Sequence, residues 1–203
     1  MTISERKMRE REEMRSLILD GARQIFLEKG YAQTSIRNIA EKIEYSPGTI
    51  YLYFRDKDEI CHALHEEGFR RMLAQMQPLQ HVADPMERLR AMGRVYLDFA
   101  RRNKDFYDLM FIMDSPMDHE KDQAKWAMGQ QTLGLLKEVL RSCQERGHFA
   151  GRNLDYLSFI IWSAMHGMCA LYIRERCQAY PDMDGNVLID HGYQYFIDML
   201  EKL

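Results

Sequence analysis

The dipeptide Ser46-Pro47 constrains the fold of this chain more than any other sequence feature. The residues that follow it, Thr49, Tyr51 and Tyr53, sit two apart, which is the spacing of one face of a β-strand. Serine is a favoured N-cap, however, and proline suits the first helical position, where a missing N–H loses no intrahelical bond. A helix is therefore predicted from Pro47. Because strand-like alternation is essentially absent elsewhere, the sequence predicts an all-α fold.

Helical periodicity and end signals divide the chain into about nine predicted helices. The first has an apolar face from Met14 to Phe26 and ends before Gly30. The second starts after Thr34 or Ser35, and the third starts at Pro47. By the same signals, later helices are predicted at about residues 56–77, 85–102, 104–113, 118–146, 154–173 and 187–200.

Charge is distributed unevenly along the chain. Residues 1–57 hold 11 lysines and arginines against 9 acidic residues, whereas the remainder holds 17 against 22. A mildly basic first segment is compatible with nucleic-acid binding, but a net charge of -3 excludes a generic polyanion binder. The four cysteines form no CxxC pair and no signal peptide is recognisable, so we expect reduced thiols in a cytoplasmic protein.

One uncharged run tests the expectation of a protein without a membrane partner. Residues 156–173, YLSFIIWSAMHGMCALYI, carry no charge over 18 positions, which is near the lower limit for a membrane span. The run contains two serines, a histidine and a glycine, and the sequence has no second such stretch. We therefore expect a buried helix, covered on both sides because it is apolar nearly all round.

The second and third predicted helices are short and separated by three or four residues, which is typical of a helix-turn-helix. In that motif the second helix enters the major groove of DNA. Ile50 and Phe54 are four residues apart and point inward, whereas Thr49, Tyr51 and Tyr53 lie off that face. Hydroxyl groups can donate to phosphate oxygens, so this outward face is suited to DNA.

At this point the chain resembles a known family. The pattern AxxxFxxxGYxxTSIxxIAxxIxxSPGTIYxYFxxKDE, from Ala22 to Glu59, resembles the DNA-binding domain of the tetracycline-repressor-type (TetR) transcriptional regulators. The resemblance implies a homodimer that binds a palindromic operator in double-stranded DNA. It further implies a C-terminal helical domain that binds a small-molecule effector and releases the DNA. We expect a DNA-binding domain at 1–57 and a ligand-binding and dimerisation domain at 58–203.

The resemblance also implies which side chains touch DNA, by residue-by-residue correspondence. Thr34 and Ser35 would bind phosphate with Arg37 beside them, and Lys57 would grip the DNA backbone at the start of the next helix. The remaining contacts would come from the recognition helix and its cap, namely Ser46, Pro47, Gly48, Thr49, Tyr51 and Tyr53. For each residue the alternative is solvent exposure without a partner, and for Tyr51 also packing within its own domain.

Glu44 departs from the family pattern. The family commonly has glycine in the turn between the two helices, where the backbone needs a left-handed residue. Here Glu44 falls at that position. A non-glycine residue in this conformation costs about 1 kcal/mol. We therefore expect either a left-handed Glu44 or a turn of different shape.

The C-terminal segment holds the candidate effector site. The spacing of Trp162, His166 and Gly167, WxxxHG, resembles the WHG motif that names one type of C-terminal domain in this family. Flexible methionines together with aromatic rings would suit a pocket for an apolar or amphipathic molecule. The candidate pocket residues are Phe106, Met110, Met113, Trp126, Trp162, Met165 and His166. Ordinary core packing is the alternative for each, and is favoured for His166.

The last two predicted helices hold the candidate dimer interface, because the resemblance implies a bundle of two helices from each subunit. Apolar residues form one stripe on the ninth helix. The residues predicted to meet the partner copy are Ile189, Tyr193, Phe196, Ile197 and Leu200.

Other kinds of site are weakly supported by the sequence. Cys61, His62 and His65 have helical spacing but no second ligand pair nearby, so we expect neither a metal nor a cofactor. No GxSxG, HExxH or phosphate-loop motif is present, so we expect no enzyme. An architectural DNA-binding protein without a ligand, and a helical enzyme with an accessory DNA-binding head, remain alternatives. The mixed charges of residues 6–15 favour a solvated helix laced by ion pairs over a basic arm in the minor groove.

Overall fold

The computed structural model describes residues 2–114 and 126–203, which form nine α-helices without any strand. The helices are α1 (Ile3–Lys29), α2 (Ile36–Lys42), α3 (Pro47–Tyr51), α4 (Lys57–Met76), α5 (Pro85–Arg102), α6 (Lys104–Phe111), α7 (Ala127–Glu145), α8 (Leu154–Ile173) and α9 (Gly185–Leu200). Short 3₁₀ turns follow α4 and α8. The all-α prediction is confirmed. The start predicted for the seventh helix, at residue 118, lies outside the described residues.

The described residues divide into two compact units. Residues 2–68 and 105–114 form one, here called the head unit, and residues 69–104 and 126–203 form the other, the body unit. The division falls within α4 and assigns most of α6 to the head unit. A compact unit is not the same as a functional domain, so the predicted functional boundary after residue 57 stays a prediction.

The core of the head unit is built from α1, α2 and α3. Ile18, Phe26, Ile39 and Ile50 are almost completely buried there. A Cβ added at Gly21 would lie 2.3 Å from a methyl carbon of Ile43, so only glycine lets α1 and α2 approach this closely. The core therefore fixes α3 by its apolar face and leaves its other face to solvent.

The turn between α2 and α3 is a Schellman motif. The N–H of Tyr45 donates to the carbonyl of Ala40 at 3.0 Å, and the N–H of Glu44 donates to that of Glu41 at 3.2 Å. Glu44 itself has a φ of 61°, which lies in the left-handed region. Of the two alternatives that the sequence left open, the structure has the left-handed Glu44, and the turn keeps the backbone shape usually supplied by glycine.

The body unit is a bundle in which α8 contacts α5, α7 and α9. Tyr193 of α9 is fully buried, and its hydroxyl donates to the carbonyl of Arg90 in α5 at 2.5 Å. Gly93 makes room for the ring, since a Cβ there would lie 2.4 Å from the Tyr193 hydroxyl oxygen. Beside this contact, Arg101 of α5 forms an ion pair with Asp190 of α9 at 2.7 Å.

Within a single chain α8 is covered on one side, and the cover expected on its other side is not supplied by the described residues. By length and apolar composition, it is the one helix in the described part of the chain that could cross a membrane. One of its faces is buried in the bundle through Leu157, Ile161 and Met165. The opposite face exposes Phe159 and Ile160 to 63% and 58%. The bundle contacts identify α8 as a packed helix with one apolar face left uncovered.

The strain at Glu44 leads to a stability prediction. Replacing Glu44 by glycine removes the Cβ strain of about 1 kcal/mol but adds disorder to the unfolded chain, an effect of about 0.4–1 kcal/mol. We expect Glu44→Gly to leave the free energy of unfolding unchanged or slightly raised in urea titrations. In the control, Glu41→Gly within α2, we expect a loss of about 1 kcal/mol. A comparable loss in Glu44→Gly would contradict a strained left-handed turn.

Candidate functional site

The starts of α2 and α3 hold a set of exposed polar and aromatic side chains. Ile50 and Phe54 bury the inner face of α3, with exposures of 0% and 2%. Tyr51, on the outer face, is 57% exposed. The other predicted DNA-contact residues that are exposed are Ser35, Arg37, Ser46, Pro47 and Gly48, while Thr49, Tyr53 and Lys57 are half-buried. The structure therefore places most of the predicted set on the outside of the helix-turn-helix.

Caps hold the polar side chains of both helix starts. The Ser46 hydroxyl accepts the N–H of Thr49 at 3.2 Å, and the two hydroxyl oxygens lie 3.0 Å apart. Ser35 forms a capping box with Asn38, whose carboxamide oxygen accepts the Ser35 N–H at 3.1 Å. Both predicted caps are confirmed, and they hold Thr49 and Ser35 in fixed orientations.

The prediction that the Thr34 side chain binds a phosphate is wrong. Thr34 is only 3% exposed, and its hydroxyl donates to the carbonyl of Gly30 at 2.8 Å. This bond ties the end of α1 to the start of α2. A hydroxyl that is buried and already donates has no proton to offer to an external anion.

Lys57 ties the start of α4 to the turn between α1 and α2. Its ammonium group donates to the carbonyls of Tyr31 and Thr34 at 2.8 and 2.9 Å, and lies 4.0 Å from the centre of the Tyr31 ring. The Tyr31 hydroxyl donates to Asp58, and burial together with this carboxylate raises the pKa of Tyr31. Two of the three N–H groups of Lys57 are thus occupied within the chain, which leaves one for a phosphate.

Tyr45 and Leu52 belong to the same surface but were missed by sequence reasoning. Tyr45 is 45% exposed in the turn, and Leu52 is 75% exposed at the end of α3. The signal for Leu52 was its position, two residues from both Ile50 and Phe54 and hence off their face. Its apolar side chain is suited to contact a thymine methyl group.

The candidate pocket residues are not gathered in one unit. Phe106, Met110 and Met113 belong to the head unit. There, a Cβ at Gly68 would meet Met110 at 2.4 Å and Phe106 at 3.3 Å, which indicates close core packing. The other four, Trp126, Trp162, Met165 and His166, belong to the body unit.

Trp162 and His166 share a face of α8, as their spacing predicts. Their ring centres are 6.1 Å apart. Trp162 is 40% exposed, whereas Met165, on the inner face, is 5% exposed. Burial lowers the pKa of His166. Core packing accounts for Met165, and the Trp162–His166 pair lies towards the open side of α8.

The body unit contains a cavity of about 450 Å³ that none of the seven candidate pocket residues lines. Its walls come from α4, α5, α7 and the 3₁₀ turn after α4. Apolar side chains form more than half of the lining, which also holds two arginines, one glutamate and three glutamines; the lining includes Arg70, Leu73, Met76, Arg88, Met92, Met128, Gln131, Leu135 and Glu138. The Arg88 guanidinium is held by the carbonyl of Val82 at 3.0 and 2.6 Å. The volume of about 450 Å³ lies within the range of roughly 300–1,000 Å³ that small-molecule sites occupy.

The dimer-interface prediction is wrong for four of its five residues. Ile189, Tyr193, Ile197 and Leu200 are at most 5% exposed within a single subunit, because α9 turns this stripe towards its own bundle. Phe196 is half-buried. The apolar residues that a partner could reach lie on the opposite faces of α8 and α9, and include Tyr156, Phe159, Ile160, Leu171, Val187, Tyr195 and Met199.

The residues weighed for zinc lie on α4. His65 is buried, and burial, followed by the neighbouring His62, lowers its pKa to about 4. Within residues 2–114 and 126–203, no three histidine, cysteine, aspartate or glutamate side chains are grouped so that they could hold a metal ion.

Two family models match the chain. Residues 18–64 match the model described as bacterial regulatory proteins, tetR family. Residues 89–192 match a model described as a tetracyclin repressor-like C-terminal domain. The two matches lie on the helix-turn-helix and on the helices that follow α4.

The chain is also similar to curated relatives and to solved structures. The chain is 31% identical over 189 residues to the uncharacterized HTH-type transcriptional regulator YvkB of Bacillus subtilis, covering 89% of this chain and 93% of YvkB. Two other curated relatives have a higher sequence identity, but the match covers only 32% and 31% of their own length. The regulator FadR of Bacillus subtilis, in complex with stearoyl-CoA, is a structural neighbour with a TM-score of 0.74, 18% identity, and 92% and 97% of the two chains covered. AibR, in complex with isovaleryl coenzyme A and operator DNA, is a second structural neighbour with a TM-score of 0.73, 19% identity, and 92% and 97% of the two chains covered.

The Lys57 contacts lead to a prediction about stability. In Lys57→Met the two carbonyls lose a charged donor, so we expect the free energy of unfolding to fall by about 1–3 kcal/mol in urea titrations. The control is Lys42→Met, since Lys42 forms a surface ion pair with Glu28 at 3.3 Å. Such pairs contribute about 0–1 kcal/mol. Equal losses in the two variants would contradict a specific tie at Lys57.

Proposed function

Because the chain belongs to the tetR family of bacterial regulatory proteins, we propose that it is a ligand-responsive transcriptional repressor that binds operator DNA as a homodimer. The observation that carries the proposal is the outer face of α3, which is exposed and polar-aromatic while Ile50 and Phe54 anchor its inner face. A protein that reaches operator DNA in a bacterium acts in the cytoplasm.

The contacts to DNA divide into phosphate and base contacts. Arg37 at the start of α2 and the remaining N–H of Lys57 serve phosphates. Thr49 and Tyr51 on α3, and Leu52 directly after it, reach base edges and methyl groups in the major groove. Ser35, Ser46, Pro47, Gly48 and Tyr53 complete the surface, and Gly48 has no side chain to hold the DNA backbone away.

A second copy of the chain covers the apolar faces of α8 and α9. Phe159 and Ile160 of α8 and Tyr195 of α9 are more than half exposed in one subunit. A Cβ added at Gly167 would meet no atom within 4 Å, so a partner helix can approach there. Pairing of these faces gives two recognition helices related by a two-fold axis, as a palindromic operator requires.

The effector occupies the cavity in the body unit. Its methionine and leucine walls suit an apolar chain, and Arg70 and Arg88 outnumber the single carboxylate of Glu138. An acyl coenzyme A or a related amphipathic anion fits this combination. The complexes of FadR with stearoyl-CoA and of AibR with isovaleryl coenzyme A support the same class. The cavity also favours a ligand-responsive regulator over an architectural protein without a ligand.

The function is tested by selecting binding sequences from a random duplex library. We expect inverted half-sites whose centres are about 34–36 Å apart, or a multiple of this spacing. We expect Tyr51→Ala to lose about 10-fold or more in affinity for the selected duplex, measured by fluorescence anisotropy, because a base contact contributes about 1–3 kcal/mol. Failure of the parent protein to enrich any sequence would contradict the proposed function.

The Tyr51→Ala test has a matched control. Tyr180, on the body unit, is 56% exposed, close to the 57% of Tyr51, so Tyr180→Ala controls for loss of an exposed tyrosine.

Ile160→Glu places a charge on the proposed dimer face, and we expect a monomer in sedimentation equilibrium that no longer binds both half-sites. Gln130→Glu adds a charge on α7 and leaves the dimer intact. A dimeric Ile160→Glu protein would contradict this interface.

The effector is tested by titrating the protein–DNA complex with isovaleryl-CoA, stearoyl-CoA, the two free acids and coenzyme A. We expect an acyl-CoA to lower DNA affinity by about 5–150-fold. Gln131 lines the cavity and Gln130 does not, although both are exposed on α7. We therefore expect Gln131→Trp to weaken the response and Gln130→Trp to retain it. Equal responses in both variants, or no release by any of the five compounds, would contradict the effector assignment.

A further inference from the structure

The first helix extends far beyond the core that it helps to build. α1 has 27 residues, about 40 Å of helix, yet its buried residues begin only at Ile18. Residues 3–13 are all exposed. The first three turns of α1 thus form an extension that no tertiary contact within the described residues covers.

Local interactions nevertheless hold this extension in helical form. Thr2 and Glu5 form a capping box, in which the Thr2 hydroxyl accepts the Glu5 N–H at 3.2 Å and the Glu5 carboxylate accepts the Thr2 N–H at 2.7 Å. Ion pairs four residues apart join Arg6 to Glu10 at 2.8 Å and Arg9 to Glu13 at 3.4 Å. Caps and such pairs stabilise helices that lack packing. These local interactions favour the helical form of the extension over a disordered arm.

The cations of the extension differ by the face they occupy. Arg6 and Arg9 are on the ion-paired side. Lys7 and Arg11 form no ion pair among the described residues and, with Arg15, are spaced four apart along one face. At 100° per residue this stripe continues the line of the buried Ile18 and Ala22. The face that packs on the core farther along α1 therefore carries three cations where it passes beyond the core.

Arg15 shows where this basic stripe lies relative to α3. Its guanidinium is 5.0 Å from the centre of the Phe54 ring, and the N–H of Phe54 donates to the carbonyl of Ile50 in α3 at 3.0 Å. Arg11 and Lys7 follow at about 6 and 12 Å farther along the helix axis. The stripe therefore starts beside the end of the recognition helix and leads outward from it.

We infer that Lys7, Arg11 and Arg15 extend the DNA interface to phosphates that flank each half-site. The inference rests on the proposed function, which places a duplex against the outer face of α3. The three cations are spaced four apart on one helical face, and Lys7 and Arg11 form no ion pair among the described residues, so the stripe is complementary to a regularly spaced row of phosphates. A helix with charged side chains contacts the backbone, so the contact adds affinity and register without base specificity.

The test compares two double variants that remove the same charge from the same turns. Lys7→Ala/Arg11→Ala removes the stripe, and Arg6→Ala/Arg9→Ala removes the ion-paired cations. Alanine favours helix, so the extension stays folded in both, which far-UV circular dichroism verifies. The affinity for a selected operator duplex of about three helical turns is measured by anisotropy as a function of KCl concentration. The slope of log affinity against log salt counts phosphate contacts at about 0.9 for each.

We expect the slope to decrease in magnitude by about two units per subunit bound in Lys7→Ala/Arg11→Ala and to change by less than half a unit in Arg6→Ala/Arg9→Ala. Lys7→Arg/Arg11→Lys, which keeps both charges, retains the slope of the parent protein. Equal changes in the two alanine variants, or no change in either, would overturn the inference while leaving the proposed function intact. Absence of DNA binding by the parent protein instead overturns the proposed function itself.

Discussion

The left-handed backbone at Glu44 is the constraint on which the proposed DNA interface depends. Reversal of the chain between α2 and α3 requires a positive φ, and the two Schellman hydrogen bonds close only in that conformation. Once the turn is closed, Ile50 is directed into the core and Tyr51 outward. The strain of a left-handed glutamate, about 1 kcal/mol, is offset by burial of Ile50 and Phe54, each of which contributes roughly 1.5–3 kcal/mol.

Hydrogen bonds from residues before and after the helix-turn-helix hold it in place. Thr34 donates to the carbonyl of Gly30, and Lys57 donates to the carbonyls of Tyr31 and Thr34. These bonds satisfy backbone carbonyls at the C-cap of α1 and in the turn between α1 and α2. They also link the start of α4 to that turn, so that a displacement at the start of α4 acts on the helix-turn-helix through hydrogen bonds. A regulator in which effector binding moves DNA-reading helices requires such a connection, because a loosely attached head would not register the change.

The helices and caps could be predicted from the sequence because their causes are local. The hydroxyls of Ser35 and Ser46 accept the N–H three residues farther along, and Pro47 suits the first helical position. The order of residues alone therefore determines these contacts. Which apolar stripe faces inward is not local. Tyr193 and Tyr195 are both aromatic residues of α9, yet one is fully buried and the other is 71% exposed, because α5 supplies Gly93 and the Arg90 carbonyl to Tyr193. Periodicity indicates a stripe but not the element that covers it, and the cavity, built from α4, α5 and α7, was missed for the same reason.

The apolar faces of α8 and α9 and the basic face of α1 are uncovered among the described residues of the single chain, and the chemistry of each favours a different partner. The open face of α8 presents Phe159 and Ile160 around the small Gly167, and burial of such apolar surface is favourable only against another apolar surface. A second copy supplies the same surface by symmetry. The open face of α1 presents Lys7 and Arg11, which no apolar partner could bury without the large cost of desolvating unpaired charges. An anionic partner instead exchanges counterions and keeps the side chains partly hydrated. Hence the apolar face is expected to meet protein and the basic face DNA.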